Sequence, residues 1–339
     1  MTSRELVYKT LEFKNTDGPV PKDLWLLPIA NIKNGDDAVN EILNKYDWDI
    51  TGTKAKYKES STVMRGAPHE LGEYVDEWGC TFTNIQRGVI GEVKKPLVSE
   101  DDEEWEDTSK IVIPEHLLSL DETSINADCA KTDKFVLCEY FPRPFERLQF
   151  IRGTENLYID LIEQPNGFID FIDKMHDFHC RLLDKWAKTD IDALYFMDDW
   201  GSQRSLLINP AMWRDIFKPM YRDFINIAHK NGKKIFMHSD GYILDIIPDL
   251  IELGLDALNS QIFCMGAENL AKFRGQITFW GEMDRQHILP HGTPDDVINA
   301  TKKIYENLWA DGGCIAQCEF ADAKPENVNA LFDTWSKIR

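Results

Sequence analysis

From about residue 190 to its end the chain alternates short apolar strands with amphipathic helices, and nothing else in the sequence restricts its fold as tightly, because strand and helix repeats of this length assemble as parallel βα units. Ala193 to Met197 reads as a strand. Asn209-Pro210 then supplies an N-cap and a first-turn proline for a helix whose apolar face is Trp213, Ile216, Phe217, Met220, Phe224, Ile227 and Ala228, ended by Gly232. Lys234 to Met237, Leu255 to Leu258, Ile277 to Trp280 and Cys314 to Ala316 read as the following strands. Between them run a helix bearing Ile243, Ile246, Ile247, Leu250 and Ile251, a second from about Glu268, and a third from Thr293-Pro294-Asp295-Asp296, whose cap, proline and acidic first turn suit the helix dipole. A last helix begins at Pro325. In the first half Phe135 to Cys138 reads as a strand and Phe168 to Trp186 as a helix, and short candidates near Leu26 and Tyr46 leave room for eight strands. The expectation is an α/β fold, one (β/α)8 TIM barrel over residues 1–339, with an N-terminal insertion from about Tyr57 to Leu117 that fits no βα unit. That segment holds Glu73-Tyr74-Val75-Asp76-Glu77-Trp78-Gly79 and the acidic run Glu100 to Asp107. It is read as a solvated insertion, with a cap over the barrel mouth as the sharper alternative.

Composition narrows the partners. With 58 acidic against 38 basic side chains the formal charge is -20, which repels phosphate backbones and anionic lipid, so neither nucleic acid nor membrane is expected as a partner. The seven cysteines are odd in number, scattered and without zinc-ribbon spacing, which suits reduced thiols in a cytoplasm. Met1 to Asn15 is charged and lacks an apolar h-region, and no apolar run approaches bilayer length; a soluble, cytoplasmic protein is expected. The dinucleotide-binding and P-loop glycine patterns are absent.

In a parallel barrel the reacting groups gather where strands end. Those ends offer Glu139 and Tyr140, Asp198 and Asp199, His238 and Asp240, Asn259 and Gln261, Glu282 and Asp284, and Cys318 and Glu319. Taken singly, each is explained as a helix cap or turn former; six at successive strand ends are harder to explain that way. His238 and Asp240, two residues apart on one strand face, are read as metal ligands together with Cys318 or Glu319. Three protein ligands and an open position make the pattern of catalytic zinc. A helix starting near Tyr242 offers Asp240 a competing role as its N-cap. Asp198 and Asp199 read as a general base and a substrate orienter, or else as a solvated turn. Glu282 joins them as a catalytic candidate, and Tyr140, Phe141, Trp200, Gln261, Phe263 and Trp280 are candidates to line an apolar slot for an aromatic ring, or core. His176 and His179-Cys180 lie in a helix and are read as solvated or satisfied histidines.

Leu207-Ile208-Asn209-Pro210, Lys234-Ile235-Phe236-Met237-His238-Ser239-Asp240-Gly241, the run Ile247 to Asn259, and Gly292-Thr293-Pro294-Asp295-Asp296-Val297 resemble the uroporphyrinogen decarboxylase superfamily, over about residues 130 to 339. The resemblance implies a β/α barrel and two activities, decarboxylation and corrinoid-linked methyl transfer. The decarboxylases carry an arginine-rich signature near their start; here that region offers Met64-Arg65-Gly66-Ala67 without paired arginines, and a chain at -20 is a poor host for a polyanion. In the methyltransferase branch a His-x-Cys-Gly pattern and a later cysteine bind zinc. This chain keeps His238, has Asp240 where the branch has cysteine, and offers Cys318-Glu319-Phe320 near the second position. Imidazole and carboxylate leave the ion harder than thiolates do, and so suited to an oxygen atom. Pro144 to Phe150 and Asp198-Asp199-Trp200-Gly201-Ser202-Gln203 resemble the methyltransferase components of anaerobic O-demethylases. The resemblance therefore implies a Zn2+-dependent methyltransferase that passes the methyl group of a small methylated substrate, an aromatic methyl ether, to the cobalt(I) of a separate corrinoid (cobalamin) protein. Asp198 or Asp199 would protonate the departing oxygen, and a homodimer is compatible with the sequence. Two alternatives stand beside it: transfer from a methylated corrinoid protein to a thiol or other small acceptor, and a barrel that serves as a non-catalytic subunit.

Overall fold

The computed structural model describes residues 1–98, 105 and 108–338. In chain order the strands are β1 (Lys22–Leu26), β2 (Ile50–Gly52), β3 (Gly72–Val75), β4 (Thr81–Asn84), β5 (Glu92–Val93), β6 (Phe135–Leu137), β7 (Ala193–Met197), β8 (Lys234–Ser239), β9 (Ala257–Ser260), β10 (Thr278–Trp280) and β11 (Cys314–Phe320). Eight of them form one parallel sheet in the order β1-β11-β10-β9-β8-β7-β6-β2. Each of these barrel strands lies beside its neighbours in sequence, as right-handed βα crossovers dictate. The two ends of the sheet meet at Asp49, whose amide donates to the Lys22 carbonyl at 2.9 Å and whose Oδ2 accepts the Lys22 amide at 2.8 Å. The expected (β/α)8 barrel with an N-terminal insertion is the fold observed. Among the described residues no helix is long and apolar enough to cross a membrane.

Inward-facing aromatics fill the barrel. Trp280 meets Trp25 at 5.1 Å, Phe236 at 5.1 Å and Tyr195 at 5.5 Å between ring centroids, and Trp25 in turn lies 5.3 Å from the His238 ring. Below this stack the helix Ser3–Leu11, started by a Thr2–Glu5 capping box, covers the other end of the barrel: Arg4 Nε and the Tyr8 hydroxyl reach Asp192, just before β7, at 2.9 and 3.1 Å.

Several boundaries differ from the sequence reading. β2 occupies Ile50–Gly52, whereas Tyr46 follows the helix Asp36–Lys45 and packs on its outer side against Phe332 and Trp48. After β8 the chain makes turns, and helix begins only at Ile247, so Asp240 caps no helix. The helix expected from about Glu268 is only the short Ala267–Leu270 followed by the 3-10 turn Ala271–Phe273, and Gly266 at φ +85° separates it from an additional short helix, Ile262–Met265. The insertion contains its own antiparallel sheet, β3-β4-β5. It packs on the helix Pro144–Arg152 through Arg147, which is buried and bonded to Asp76, with Glu77 at 3.5 Å. Of the acidic run Glu100 to Asp107 only Trp105 lies within the described residues; its indole donates to Asp160 at 2.8 Å.

Candidate active site

Strand register places His238 beside Asn259, and period-two alternation turns both into the barrel mouth. The Asn259 amide nitrogen donates to the Trp280 carbonyl and, at 3.1 Å, to Gln317 Oε1, which leaves its oxygen facing the imidazole. His238 Nδ1 lies 2.6 Å from that oxygen and must carry the proton. Nε2 is thereby directed at two carboxylates, with Asp199 Oδ1 at 3.4 Å and Asp240 Oδ1 at 3.6 Å. Burial alone would depress the imidazole, yet these carboxylates and Asn259 outweigh it and push His238 up to about 9. Burial likewise opposes ionisation of Asp199, but the bond and charge of His238 prevail and hold it below the ordinary carboxylate value.

Backbone contact between two loops holds the carboxylates together. The Gly201 amide donates to the Asp240 carbonyl at 3.0 Å, Tyr242 to the Ser202 carbonyl at 2.7 Å, and the Asp240 amide to Asp199 Oδ1 at 3.0 Å. Only glycine fits the crossing: a Cβ on Gly241, whose φ is +77°, would stand 2.0 Å from the Gly201 oxygen. Asp240 Oδ2 is bonded by Arg285, whereas the buried Oδ1 has no hydrogen-bond partner. One ligand atom from each of Asp199, His238 and Asp240 lies within 4.8 Å of the others. An imidazole with its tautomer fixed from behind and two carboxylate oxygens, one of them orphaned, are a fitting donor set for a divalent cation.

Arg285 also binds Glu282 at 3.0 Å and Glu319 at 3.4 Å. Burial pushes the Glu282 carboxyl up to about 8 against the pull of that guanidinium. Gln261 and Phe263 line a small cavity of about 180 Å³ with Glu282 and Arg285, and Gln261 accepts the Gly241 amide at 3.2 Å. A cavity of about 870 Å³ lies between the insertion and the loop after β6, walled by Tyr57, Tyr74, Trp78, Tyr140, Phe141 and Phe150 among others. Phe141 of its wall meets Tyr195 at 5.3 Å, and Tyr195 packs on Trp25, the ring neighbour of His238, so the cavity approaches the ligand cluster through these rings while none of the three ligand side chains lines it.

The structure thus brings His238, Asp240, Asp199, Glu282 and Glu319 together, with Glu319 reaching Asp240 only through Arg285. Four sequence expectations are corrected. Asp198 is fully buried and accepts the Phe145 and Glu146 amides at 3.1 and 2.9 Å and the Tyr221 hydroxyl at 2.6 Å, so it serves the start of the helix Pro144–Arg152 instead of the mouth. Trp200 is core, stacked on Phe145 at 4.3 Å with its indole bonded to Tyr221. Trp280 belongs to the barrel floor, its indole donating to Asp23 at 2.9 Å. Cys318 is fully buried between Gln317 and Glu319, on the opposite face of β11, where burial pushes its thiol well up; it joins no ligand group among the described residues.

Arg285 and the locking role of Asn259 escaped the sequence reading. Arg285 lies in the turn that follows β10, directly after Asp284, where no periodicity marks it. A second group of possible ligands, His176, Cys180 and Asp223, lies on the helical layer, where His176 is satisfied by Asp223 at 2.8 Å. His179 is buried against Phe178 and Trp78.

Residues 84–338 match the family model described as Uroporphyrinogen decarboxylase (URO-D), a stretch that includes β6 to β11 and every residue of the cluster. No curated protein matches the chain. Among solved structures it is similar to a methyltransferase from Methanosarcina mazei, at 15% identity and a TM-score of 0.65, covering 99% of this chain and 99% of that one. A 3-keto-D-glucoside 4-epimerase from E. coli aligns with 64% of this chain and 83% of its own at 14% identity and a TM-score of 0.40. With three quarters of its length inside the family match, the chain belongs to the uroporphyrinogen decarboxylase (URO-D) family.

Proposed function

We propose that this barrel is a zinc-dependent methyltransferase that moves a methyl group from a small aromatic methyl ether to the cobalt(I) of a separate corrinoid protein. The observation that carries the reading is His238, locked by Asn259 and aimed with Asp199 and Asp240 at one point beside an aromatic-walled cavity. Those three side chains are the ones to hold the ion, in place of the His238, Asp240 and Cys318 or Glu319 set expected from sequence. When bound, zinc supplies Lewis acidity to the ether oxygen, and the partner's reduced cobalt supplies the nucleophile.

The remaining work falls to this chain's own groups. Asn259 keeps one His238 proton on Nδ1, so that Nε2, on releasing its own proton, is the nitrogen that would face the ion. Arg285 fixes Asp240 through Oδ2 and leaves Oδ1 directed at the imidazole. As the methyl carbon leaves, its bonding electrons stay on oxygen, and Glu282, whose carboxyl burial pushes up to about 8, is the acid we assign to neutralise that oxygen. Tyr140 and Phe141 offer ring faces and the insertion keeps bulk water from one side of the cavity. A nitrogen and oxygen donor set favours an oxygen substrate over a thiol.

Metal analysis of the purified chain tests this. The expected result is about one zinc per chain, absent from His238→Ala and bound about 10- to 100-fold more weakly by Asn259→Leu, with loss of ether consumption in the presence of reduced corrinoid protein. A wild-type chain that stays metal-free after zinc is offered overturns the reading.

A further inference from the structure

The large cavity carries a charge imbalance that bears on which ethers it admits. Among the described residues its wall includes the carboxylates Glu59, Asp76, Glu77, Glu139 and Glu146 and two arginines, Arg143 and Arg147. Both arginines are engaged: Arg147 with Asp76 and Glu77, Arg143 with Glu146 at 3.5 Å and over the Phe141 ring at 5.0 Å. The two histidines of the wall add no charge, since burial depresses both His116 and His179. Among the described residues neither Glu59 nor Glu139 forms an ion pair; Glu139, an exposed side chain that feels the Lys54 charge without pairing to it, is held in place by the Ala55 amide, which donates to its Oε2 at 2.9 Å. Tyr57 and Tyr140 line the same wall, and Tyr57 lies close enough to Glu139 to feel its charge. A fixed carboxylate beside phenol rings in a cavity short of positive charge is the arrangement that attracts an organic cation and repels an anion.

We infer that this cavity selects by charge, taking aromatic ethers whose ring bears an ammonium or similar cationic substituent and rejecting carboxylated rings, with Glu139 as the anchoring residue. The inference rests on the cavity being the substrate site of the methyl transfer proposed above. Specificity here comes from repulsion as much as from attraction: an anionic ring would desolvate its own carboxylate beside Glu139 without finding an uncommitted arginine.

Binding separates this from the transfer chemistry. Three probes sharing one ring and one methyl ether, para-methoxybenzylamine, para-methoxybenzyl alcohol and para-methoxybenzoate, are titrated into the full chain and followed by calorimetry or by the fluorescence of Trp78 in the wall. The amine is expected to bind about tenfold or more tightly than the benzoate, the alcohol falling between, with the ratio shrinking as salt is raised. Both side chains are exposed, but Glu139→Gln keeps an oxygen for the Ala55 amide, whereas Glu59→Gln removes a wall carboxylate that no backbone amide holds among the described residues; the former should cut the ratio severalfold and the latter less. Equal affinities, a preference for the benzoate, or no binding of any probe overturns the inference. An amine that binds preferentially yet never loses its methyl group to reduced corrinoid protein upholds the charge selection and defeats the transfer reading instead.

Discussion

Asp198 and Asp199 are chemically identical neighbours that the end of β7 sends in opposite directions, one under a helix start and the other to His238. Asp23 shows what such placement does to a carboxyl. It lies inside the barrel, accepts the Trp25 and Trp280 indoles at 3.2 and 2.9 Å, and burial pushes it up to about 6 against those donors. A folded-state value above the unfolded one means that folding favours the protonated form. The resulting stabilisation is therefore complete below the unfolded value, about 3.9, and is lost as pH rises through the folded value. Asp23→Asn cannot titrate, so its unfolding free energy minus that of the wild type should grow by about 2 kcal/mol from about pH 4.5 to about pH 7.5. Urea melts at the two pH values check this; a difference that stays flat would mean that Asp23 titrates as it does in the unfolded chain. Residue identity at the site was legible to the extent that strand ends are legible: His238, Asp240, Asp199 and Glu282 were found because they follow apolar runs. Which way each points was not, because Asp198 and Cys318 follow the same runs and only register and alternation separate them from their neighbours.

Among the elements, the insertion is held by a shared apolar face, where Trp78, Phe82 and Trp105 pack on Phe178, Phe150 and Phe168, and by a buried charge pair within it. Arg147 reaches from the helix Pro144–Arg152 to Asp76, whose Oδ1 also accepts the Trp78 and Cys80 amides at 3.0 and 2.8 Å. Arg147→Ala would strand that carboxylate in the interior and should cost about 3–5 kcal/mol, read as a lower urea midpoint and earlier proteolysis within residues 57–98. Adding Asp76→Asn to Arg147→Met leaves no buried charge and keeps the turn's acceptor, so most of the loss should return; a double variant as unstable as the single one would show that the pair's worth lies in packing. The sequence displayed the later elements well, since β7 coincides with the expected Ala193 to Met197 and the capping box at Thr293 starts its helix as read. It displayed the early ones poorly. β2 has three residues, too few for a period-two signal, and β3 to β5 pair with one another and with Arg65, with no barrel strand among the partners of their described residues, so no βα rhythm marks them.

The molecule as a whole is a barrel whose ring is completed by one residue, through its backbone and its side chain. Seven of the eight junctions between barrel strands are ladders, whereas β1 and β2 touch through Asp49, which binds the Lys22 backbone twice and accepts the Ser3 hydroxyl at 2.6 Å, tying the N-terminal helix into the same joint. Asp49→Ala removes the acceptor of the Lys22 amide and should lower stability by about 1–3 kcal/mol. The loss should be local in origin. Hydrogen exchange is expected to quicken at Lys22 to Leu26 and Ile50 to Gly52 while the β7-β8-β9 ladder keeps its protection. His238, Asn259 and Asp199 all stand on that protected side, so the variant should bind zinc as the wild type does even as it unfolds more readily. Loss of metal without loss of the β8 amides' protection would mean instead that the seam positions the site, through Trp25 on β1 and its contact with the His238 ring.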